Sequence, residues 1–137
     1  METKNIVVVG GGAAGFFCAI QIAEMHPNWH VTIVEKSTKL LSKVRVSGGG
    51  RCNVTHACPD VDHLIQKYPR GQRFLKKAFY QFATLQTIDW FAKNEVKLHT
   101  EKDGRMFPIT NDSETIVACF MKKVNQYQIE ILLNHEV

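Results

Sequence analysis

Three glycines, Gly10, Gly12 and Gly15, lie between a short β-branched run and a longer apolar stretch. Residues 6–9 predict a strand buried on both faces, as in a parallel sheet. Residues 13–25 predict a helix. In such a turn the first glycine permits the tight bend, the second lets a pyrophosphate approach the backbone, and the third lets the helix pack closely on the strand. The pattern therefore predicts a Rossmann-like α/β domain that binds a dinucleotide at the helix N-terminus.

An acidic residue stands where this fold places its ribose-binding carboxylate. Residues 29–35 predict a second parallel strand that ends at Glu35, 20 positions after Gly15. A carboxylate there can accept hydrogen bonds from the adenosine ribose and repels a 2′-phosphate, so we expect FAD or NAD rather than NADP. A purely structural glycine turn beside a surface acid is the alternative interpretation.

A second glycine-rich segment lies within residues 35–71, which predict a long loop with little regular structure. Ser47 is followed by Gly48, Gly49 and Gly50, and then by Arg51, Cys52 and Asn53. Consecutive glycines let the backbone pass close to a large flat ligand or a phosphate, and successive N–H groups can bind an anion. Arg51 and Asn53 add polar groups beside it. A flexible loop without a ligand is the alternative, but the position after Glu35 favours a cofactor loop.

The later part of the chain predicts further elements around this unit. Residues 96–108 predict a hairpin that turns at Asp103-Gly104. Asn111 has the capping-box spacing to Glu114, before a helix that reaches about residue 124. Residues 128–133 predict a third parallel strand.

Residues 72–94 predict one or two helices, with a possible N-cap at Thr84. Several aromatic residues follow helical spacing in this segment, so we expect them in the core: Phe74, Phe79, Phe82, Trp90 and Phe91.

Composition limits the class of partner. The chain has 17 Lys and Arg against 13 Asp and Glu, a net charge of +4. We expect these basic residues to be spread along the chain, whereas nucleic-acid binding requires a denser basic stripe. No apolar stretch is long enough to span a bilayer, and no signal peptide precedes the first strand, so we expect a cytoplasmic protein without a membrane partner.

The four cysteines form no Cys-x-x-Cys pair, and the six histidines have no metal-ligand spacing, so we predict no metal site. Cys18 and Cys119 lie in helical patterns as small buried residues. Cys52 and Cys58 could form a redox pair, but an isolated packed thiol is favoured. His56 could assist chemistry beside the glycine loop. For Arg105 a structural role is favoured over an anion contact.

Four segments together resemble a bacterial flavoprotein family. They are residues 10–15 (Gly-Gly-Gly-Ala-Ala-Gly), 35–36 (Glu-Lys), 47–55 (Ser-Gly-Gly-Gly-Arg-Cys-Asn-Val-Thr) and 104–108 (Gly-Arg-Met-Phe-Pro). The family is labelled NAD(P)/FAD-dependent oxidoreductase, HI0933-like flavoprotein or aminoacetone oxidase family FAD-binding enzyme. Ser42 and His56 depart from its pattern, which often has Gly and Asn at those positions.

The resemblance implies that FAD is the cofactor, and it is compatible with NAD(P)H as the electron donor. It implies cofactor contacts from Gly10, Gly12, Ala13, Ala14, Gly15, Glu35, Lys36, Lys43, Ser47, Gly48, Gly49, Gly50, Arg51, Cys52 and Asn53, with the backbone of Val137 beside adenine. Family members are much longer. Residues 1–137 would therefore be the N-terminal part of an FAD-binding Rossmann-like domain, inactive without the substrate domain and the C-terminal FAD segment.

The predicted function of the whole protein is that of an FAD-dependent oxidoreductase, which transfers a hydride or electrons between flavin and a nicotinamide cofactor or small substrate. The alternatives are a non-catalytic dinucleotide-binding module, a flavoprotein that acts on tRNA, and an NAD-dependent dehydrogenase. The last would not need the second glycine loop. The sequence names no catalytic acid or base, no substrate and no oligomeric state.

Overall fold

The computed structural model describes residues 3–137. Met1 and Glu2, which belong to the predicted domain, lie outside the described residues. In chain order the elements are β1 (Asn5–Val9), α1 (Ala13–Met25), β2 (His30–Glu35), α2 (Ser42–Gly50), β3 (Thr55–His56), α3 (Val61–Ile65), α4 (Gln72–Phe79), α5 (Thr84–Lys93), β4 (Leu98–Thr100), β5 (Arg105–Pro108), α6 (Glu114–Gln126) and β6 (Glu130–Leu133).

A parallel three-stranded sheet in the order β1-β2-β6 forms the Rossmann unit, as predicted. The prediction that β1 is buried on both faces is wrong. Ile6 and Val8 pack against the core, whereas Val7 and Val9 are 60% and 63% exposed. The reason is that no element among residues 3–137 covers the face of β1 that carries Val7 and Val9.

Helix α1 has the predicted bounds and packs closely on β1 because of Gly15. A Cβ atom at Gly15 would lie 1.9 Å from the Gly10 carbonyl oxygen, so no larger residue fits there. The helix buries Phe16, Ala19 and Ile20 in the core and ends just before Pro27.

A second, antiparallel sheet in the order β3-β5-β4 lies beyond the parallel one. Its β4–β5 hairpin confirms the prediction for residues 96–108, and Gly104 turns it with φ +86°. The prediction of little regular structure in residues 35–71 is wrong, because that segment contains α2, β3 and α3. Each of these elements is too short to produce a clear periodic pattern.

The predicted helical segment 72–94 consists of two helices, and part of it lies outside the core. Trp90 and Phe91 are buried, as expected. Phe74 is 85% exposed and Phe82 38% exposed, and α4 buries none of its residues, Phe79 included. The core prediction for these three phenylalanines is therefore wrong, since helical spacing identifies a face but not what covers it.

Two predicted helix caps are wrong. Ala83 precedes α5, and the hydroxyl of Thr84 instead donates to the Cys58 carbonyl at 2.8 Å. Before α6, the Asp112 carboxylate accepts the Glu114 N–H at 2.9 Å, while Asn111 adopts a left-handed φ of 51°. The N-cap residue is Ser113, and the Asp112 side chain accepts this N–H because an Asp is as good an acceptor as an Asn.

All four cysteines are free thiols. Cys119 is buried, as predicted, but the prediction for Cys18 is wrong because it lies on the exposed side of α1. No helix in the described part of the chain combines the length and the apolar character that a membrane crossing needs.

Candidate functional site

The two glycine-rich segments line one groove of about 480 Å³. Six of the predicted site residues lie on its wall: Ala13, Ala14, Lys43, Ser47, Cys52 and Asn53. The rest of the wall is mainly apolar and comes from α1, α2, α5, α6 and two connecting segments. Sequence reasoning missed these residues: Phe17, Val44, Val54, Phe82, Thr87, Phe91, Ile116 and Phe120. A groove that is mostly apolar, with a few polar groups at one side, is typical of a cofactor site.

The N-terminus of α1 is open toward this groove. Gly12 is the N-cap, and no side chain caps the helix. A Cβ atom at Gly12 would meet nothing within 4 Å, so the backbone can be approached closely from outside. The first N–H groups of a helix and its partial positive charge favour a bound anion at such a position.

Glu35 is held by hydrogen bonds at the end of β2. Its Oε2 atom accepts the Gly11 N–H at 2.8 Å, and its Oε1 atom accepts the Ser37 N–H at 2.9 Å and the Ser37 hydroxyl at 2.8 Å. The Gly11 N–H first, then Ser37 and the nearby Lys36 charge, hold the pKa of the Glu35 carboxyl below its usual value. The group is therefore an anion at neutral pH. Sequence reasoning missed Ser37, although a hydroxyl residue two positions after an acid is a known turn signal.

The chain beyond β6 lies beside Glu35. The His135 N–H donates to the Glu35 carbonyl at 3.0 Å, and the Asn134 N–H donates to the Ser37 carbonyl at 3.3 Å. Val137 follows two residues later and is exposed. Lys36 is exposed and does not line the groove, whereas Lys43 does.

The segment 47–53 is a tight turn that closes α2. Gly48 and Gly49 have φ values of +58° and +69°. The Cys52 N–H donates to the Ser47 carbonyl at 2.9 Å, and the Asn53 N–H donates to the Ser47 hydroxyl at 3.2 Å. Burial raises the pKa of the Cys52 thiol, so the thiol is protonated at neutral pH and has little nucleophilic character.

The β4–β5 hairpin supports this turn from one side. A Cβ atom at Gly48 would lie 2.6 Å from the Phe107 ring, and the Arg51 guanidinium stacks 4.0 Å from the centre of the same ring. Arg51 also donates to the Glu101 carboxylate at 2.5 Å and to the Gly48 carbonyl at 3.2 Å. In this structure Arg51 therefore contacts the hairpin rather than the groove.

Helix α6 supports the turn from the other side. The N–H of the buried Ser113 donates to the Gly50 carbonyl at 2.8 Å, and its hydroxyl donates to the Arg45 carbonyl at 3.0 Å. Arg45 also forms an ion pair with Glu114. Sequence reasoning missed Ser113, because a serine far along the chain gives no local signal of this contact.

His56 of β3 contacts the β4–β5 hairpin, and Arg105 makes its contacts within the hairpin. A ring nitrogen of His56 lies 3.0 Å from the Asp103 carbonyl, and Arg105 pairs with Asp103 at 2.7 Å and Glu101 at 3.2 Å. The contacts of Arg105 agree with the structural role favoured for it. Within residues 3–137, no group of three or more His, Cys, Asp or Glu side chains could hold a metal ion.

Two relatives match nearly the whole of this chain in sequence. The ribosomal RNA dihydrouridine synthase of Haemophilus influenzae is 30% identical over 131 residues, which are 96% of this chain and 31% of that protein. The 3-dehydro-bile acid delta(4,6)-reductase of Clostridium scindens is 25% identical over 129 residues, 93% of this chain and 30% of that protein. The chain thus spans about a third of the length of these relatives.

Solved structures show the same fold. A quinol-fumarate reductase with menaquinol molecules matches with a TM-score of 0.64 at 17% identity, over 100% of this chain and 27% of that one. The family model for the HI0933-like protein Rossmann domain matches residues 4–137. By this match over nearly its whole length, the chain belongs to the HI0933-like family of Rossmann-domain flavoproteins.

Proposed function

We propose that this chain binds FAD along the groove, and that the whole protein is an FAD-dependent oxidoreductase. The observation that carries the proposal is the meeting of the two glycine-rich segments on one groove, with an uncapped helix N-terminus at its edge. Either segment alone would fit a structural turn. Their placement on one surface fits a ligand with a phosphate part and a flat apolar part.

The adenosine and pyrophosphate part of FAD would lie at the β1–α1 turn. The residues proposed to contact it are Gly10, Gly12, Ala13, Ala14, Gly15, Glu35 and the backbone near Val137. A carboxylate has about four lone-pair positions, and Glu35 uses three in this structure. A ribose hydroxyl would take the remaining position or replace the hydroxyl of Ser37. The same negative charge disfavours a 2′-phosphate at this point.

The flavin part would lie over the apolar wall, beside residues 47–53. The backbone of this turn, with Lys43 at its edge, supplies the polar contacts, while Phe91, Ile116 and Phe120 exclude water. Bound FAD would supply two-electron redox chemistry, and the protein would orient the flavin and set the polarity of its surroundings. We propose NAD(P)H as the electron donor of the whole protein.

A second candidate is a flavoprotein that modifies RNA. It is favoured by the 30% identity to a ribosomal RNA dihydrouridine synthase over nearly this whole chain. In that case FAD binding stays as proposed, and the substrate of the whole protein is an RNA base rather than a small molecule.

The test of the oxidoreductase proposal is anaerobic reduction of the FAD-loaded whole protein by NADH or NADPH. We expect the visible absorbance of oxidised flavin to disappear, and to return when an electron acceptor is added. A protein that binds FAD but is reduced by neither nucleotide nor a substrate would instead be a non-catalytic binding module.

A further inference from the structure

The positive charge of the chain is concentrated in one segment. Residues 63–88 contain five Lys and Arg and no Asp or Glu, while the rest of the chain has 12 basic against 13 acidic residues. The Lys and Arg residues are spread along the chain, as expected, but the absence of Asp and Glu from residues 63–88 leaves their charge unbalanced there. The whole net charge of +4 comes from this segment, which includes α4.

Helix α4 presents this charge on its outer face. Arg73, Phe74 and Lys77 are exposed, while Leu75 and Phe79 are half-buried on the inner side. Arg70 is exposed immediately before the helix. No carboxylate among residues 3–137 forms an ion pair with Arg70, Arg73 or Lys77, so their charges are available to a ligand.

Specific contacts hold α4 against the domain. Lys76 pairs with Asp62 of α3 at 2.7 Å, and the Tyr80 hydroxyl donates to the same carboxylate at 3.1 Å. After the helix, the Phe82 ring packs 5.3 Å from the Phe17 ring on α1. The exposed face is thus part of a fixed surface.

A cleft connects this region to the cofactor groove. It has a volume of about 390 Å³ and is lined by Tyr68 and Phe79 from the α4 side. It shares Asn53, Val54, Phe82 and Thr87 with the groove. A ligand that enters the cleft from the α4 side therefore reaches the turn 47–53, where the flavin is proposed to lie.

We propose that Tyr68, Arg70, Arg73, Phe74 and Lys77 form a binding surface for single-stranded RNA, which directs one base into this cleft. The proposal rests on the second candidate function, a flavoprotein that modifies RNA. Basic side chains interleaved with exposed aromatic rings suit a strand of phosphates and unstacked bases. An anionic membrane fits less well, because Leu75 and Phe79 lie on the inner side of α4 and Phe74 is its one large apolar side chain that is exposed.

The test measures binding of a fluorescein-labelled single-stranded oligouridylate to the chain by fluorescence anisotropy over a series of KCl concentrations. The variant is Arg70→Gln/Arg73→Gln/Lys77→Gln. We expect its affinity to fall at least about tenfold at low salt, and the slope of log Kd against log [KCl] to fall by about 2, since each lost phosphate contact removes about 0.7. Phe74→Ser should weaken binding about fivefold or more without a change in slope.

The matched control is Lys93→Gln/Lys97→Gln/Lys123→Gln, which removes the same charge from exposed or half-exposed positions elsewhere. We expect this control to bind nearly as well as the native chain. An equal loss in the control, an unchanged slope in the α4 variant, or no binding of RNA would overturn the proposal. Binding to phosphatidylserine vesicles with the same loss in the α4 variant, and none to RNA, would assign the surface to a membrane.

Titration with FAD on the same preparations separates this proposal from the proposed function. None of the substituted side chains lies on the cofactor groove, so FAD affinity should stay unchanged in all three variants. Loss of RNA binding with FAD affinity intact supports the surface. If the native chain binds RNA as described but not FAD, the proposed function fails and the surface stands.

Discussion

The two glycine-rich turns of this chain look alike in sequence but have their glycines for different physical reasons. In the β1–α1 turn, Gly15 is required by packing against the Gly10 carbonyl, whereas Gly12 faces open space. In the turn 47–53, Gly48 is required by packing on Phe107, whereas Gly49 faces open space. Packing thus demands glycine at positions 15 and 48. Gly12 has neither a close neighbour nor a left-handed φ, and Gly49 is constrained only by its left-handed φ.

The two turns also differ in what holds them. The first is held by the neighbouring strand β2, since the Gly10 N–H donates to the Val34 carbonyl and the Gly11 N–H to the Glu35 carboxylate, 24 residues away. The second is held by distant parts of the chain, Phe107 and Glu101 in the hairpin and Ser113 before α6. The first turn can therefore be recognised from a short motif, while the second depends on tertiary contacts that its own sequence does not reveal.

The largest effect should come from Gly15→Ala. Its Cβ atom would lie 1.9 Å from a backbone oxygen, so α1 must move away from β1. We expect a loss of at least about 3 kcal/mol in the free energy of unfolding, measured in urea. Gly12→Ala is the matched control and should cost within about 1 kcal/mol, but should weaken FAD binding. Equal stability of the two variants would contradict this distinction.

Gly48→Ala should give the next largest effect. It combines a left-handed φ with a 2.6 Å contact to the Phe107 ring, so we expect a loss of about 2–3 kcal/mol in the free energy of unfolding. Gly49→Ala has a similar φ and no neighbour, and should cost about 1 kcal/mol. Thermal unfolding of the two variants measures this difference in stability. If the two variants are equally stable, packing against Phe107 does not explain why residue 48 is a glycine.

The ion pair between Arg51 and Glu101 should contribute less. Both side chains are partly exposed, so a double-mutant cycle with Arg51→Gln and Glu101→Gln should give a coupling of about 0.5–1 kcal/mol. The readout is urea unfolding at low and high salt. A coupling of zero would mean that stacking on Phe107, rather than charge, holds Arg51 against the hairpin.

The smallest effect should be the pH dependence from Glu35. Its pKa is lowered in the folded chain, so its contribution is present above the usual glutamate pKa and is lost as pH falls through the lowered value. Glu35→Gln should therefore remove part of the acid destabilisation seen in urea unfolding between about pH 6 and pH 3. A variant with the same pH profile as the native chain would show that Gly11 and Ser37 do not favour the charged form.

Much of the Rossmann unit could be predicted from local patterns. The helix 13–25, the strand that ends at Glu35 and the turn at Gly104 each have a sequence signal that tertiary structure does not override. Neither α2 nor α3 has a clear sequence signal, because α3 has only five residues and α2 is interrupted by Gly48 and Gly49 with positive φ. The exposed face of α4 was mistaken for core, since periodicity does not tell what covers a face.

In the candidate site, too, local sequence patterns do not reveal contacts between distant parts of the chain. Its polar residues could be found because glycine spacing and the ribose acid are local motifs. Its apolar wall and the supports of the second turn could not, because Phe17, Phe120 and Ser113 come from elements far apart in sequence. The contact between Arg51 and Glu101 could not be predicted either, because it depends on where the β4–β5 hairpin packs.

The most direct test of the account is titration of the folded chain with FAD, followed by flavin fluorescence, beside Glu35→Ala. We predict saturable binding by the native chain and clearly weaker binding by the variant, with circular dichroism showing both folded. NAD should compete poorly, because it lacks the flavin that the apolar groove would hold. Binding of NAD without FAD, or equal FAD affinity in the two chains, would contradict the assignment of the groove and of Glu35.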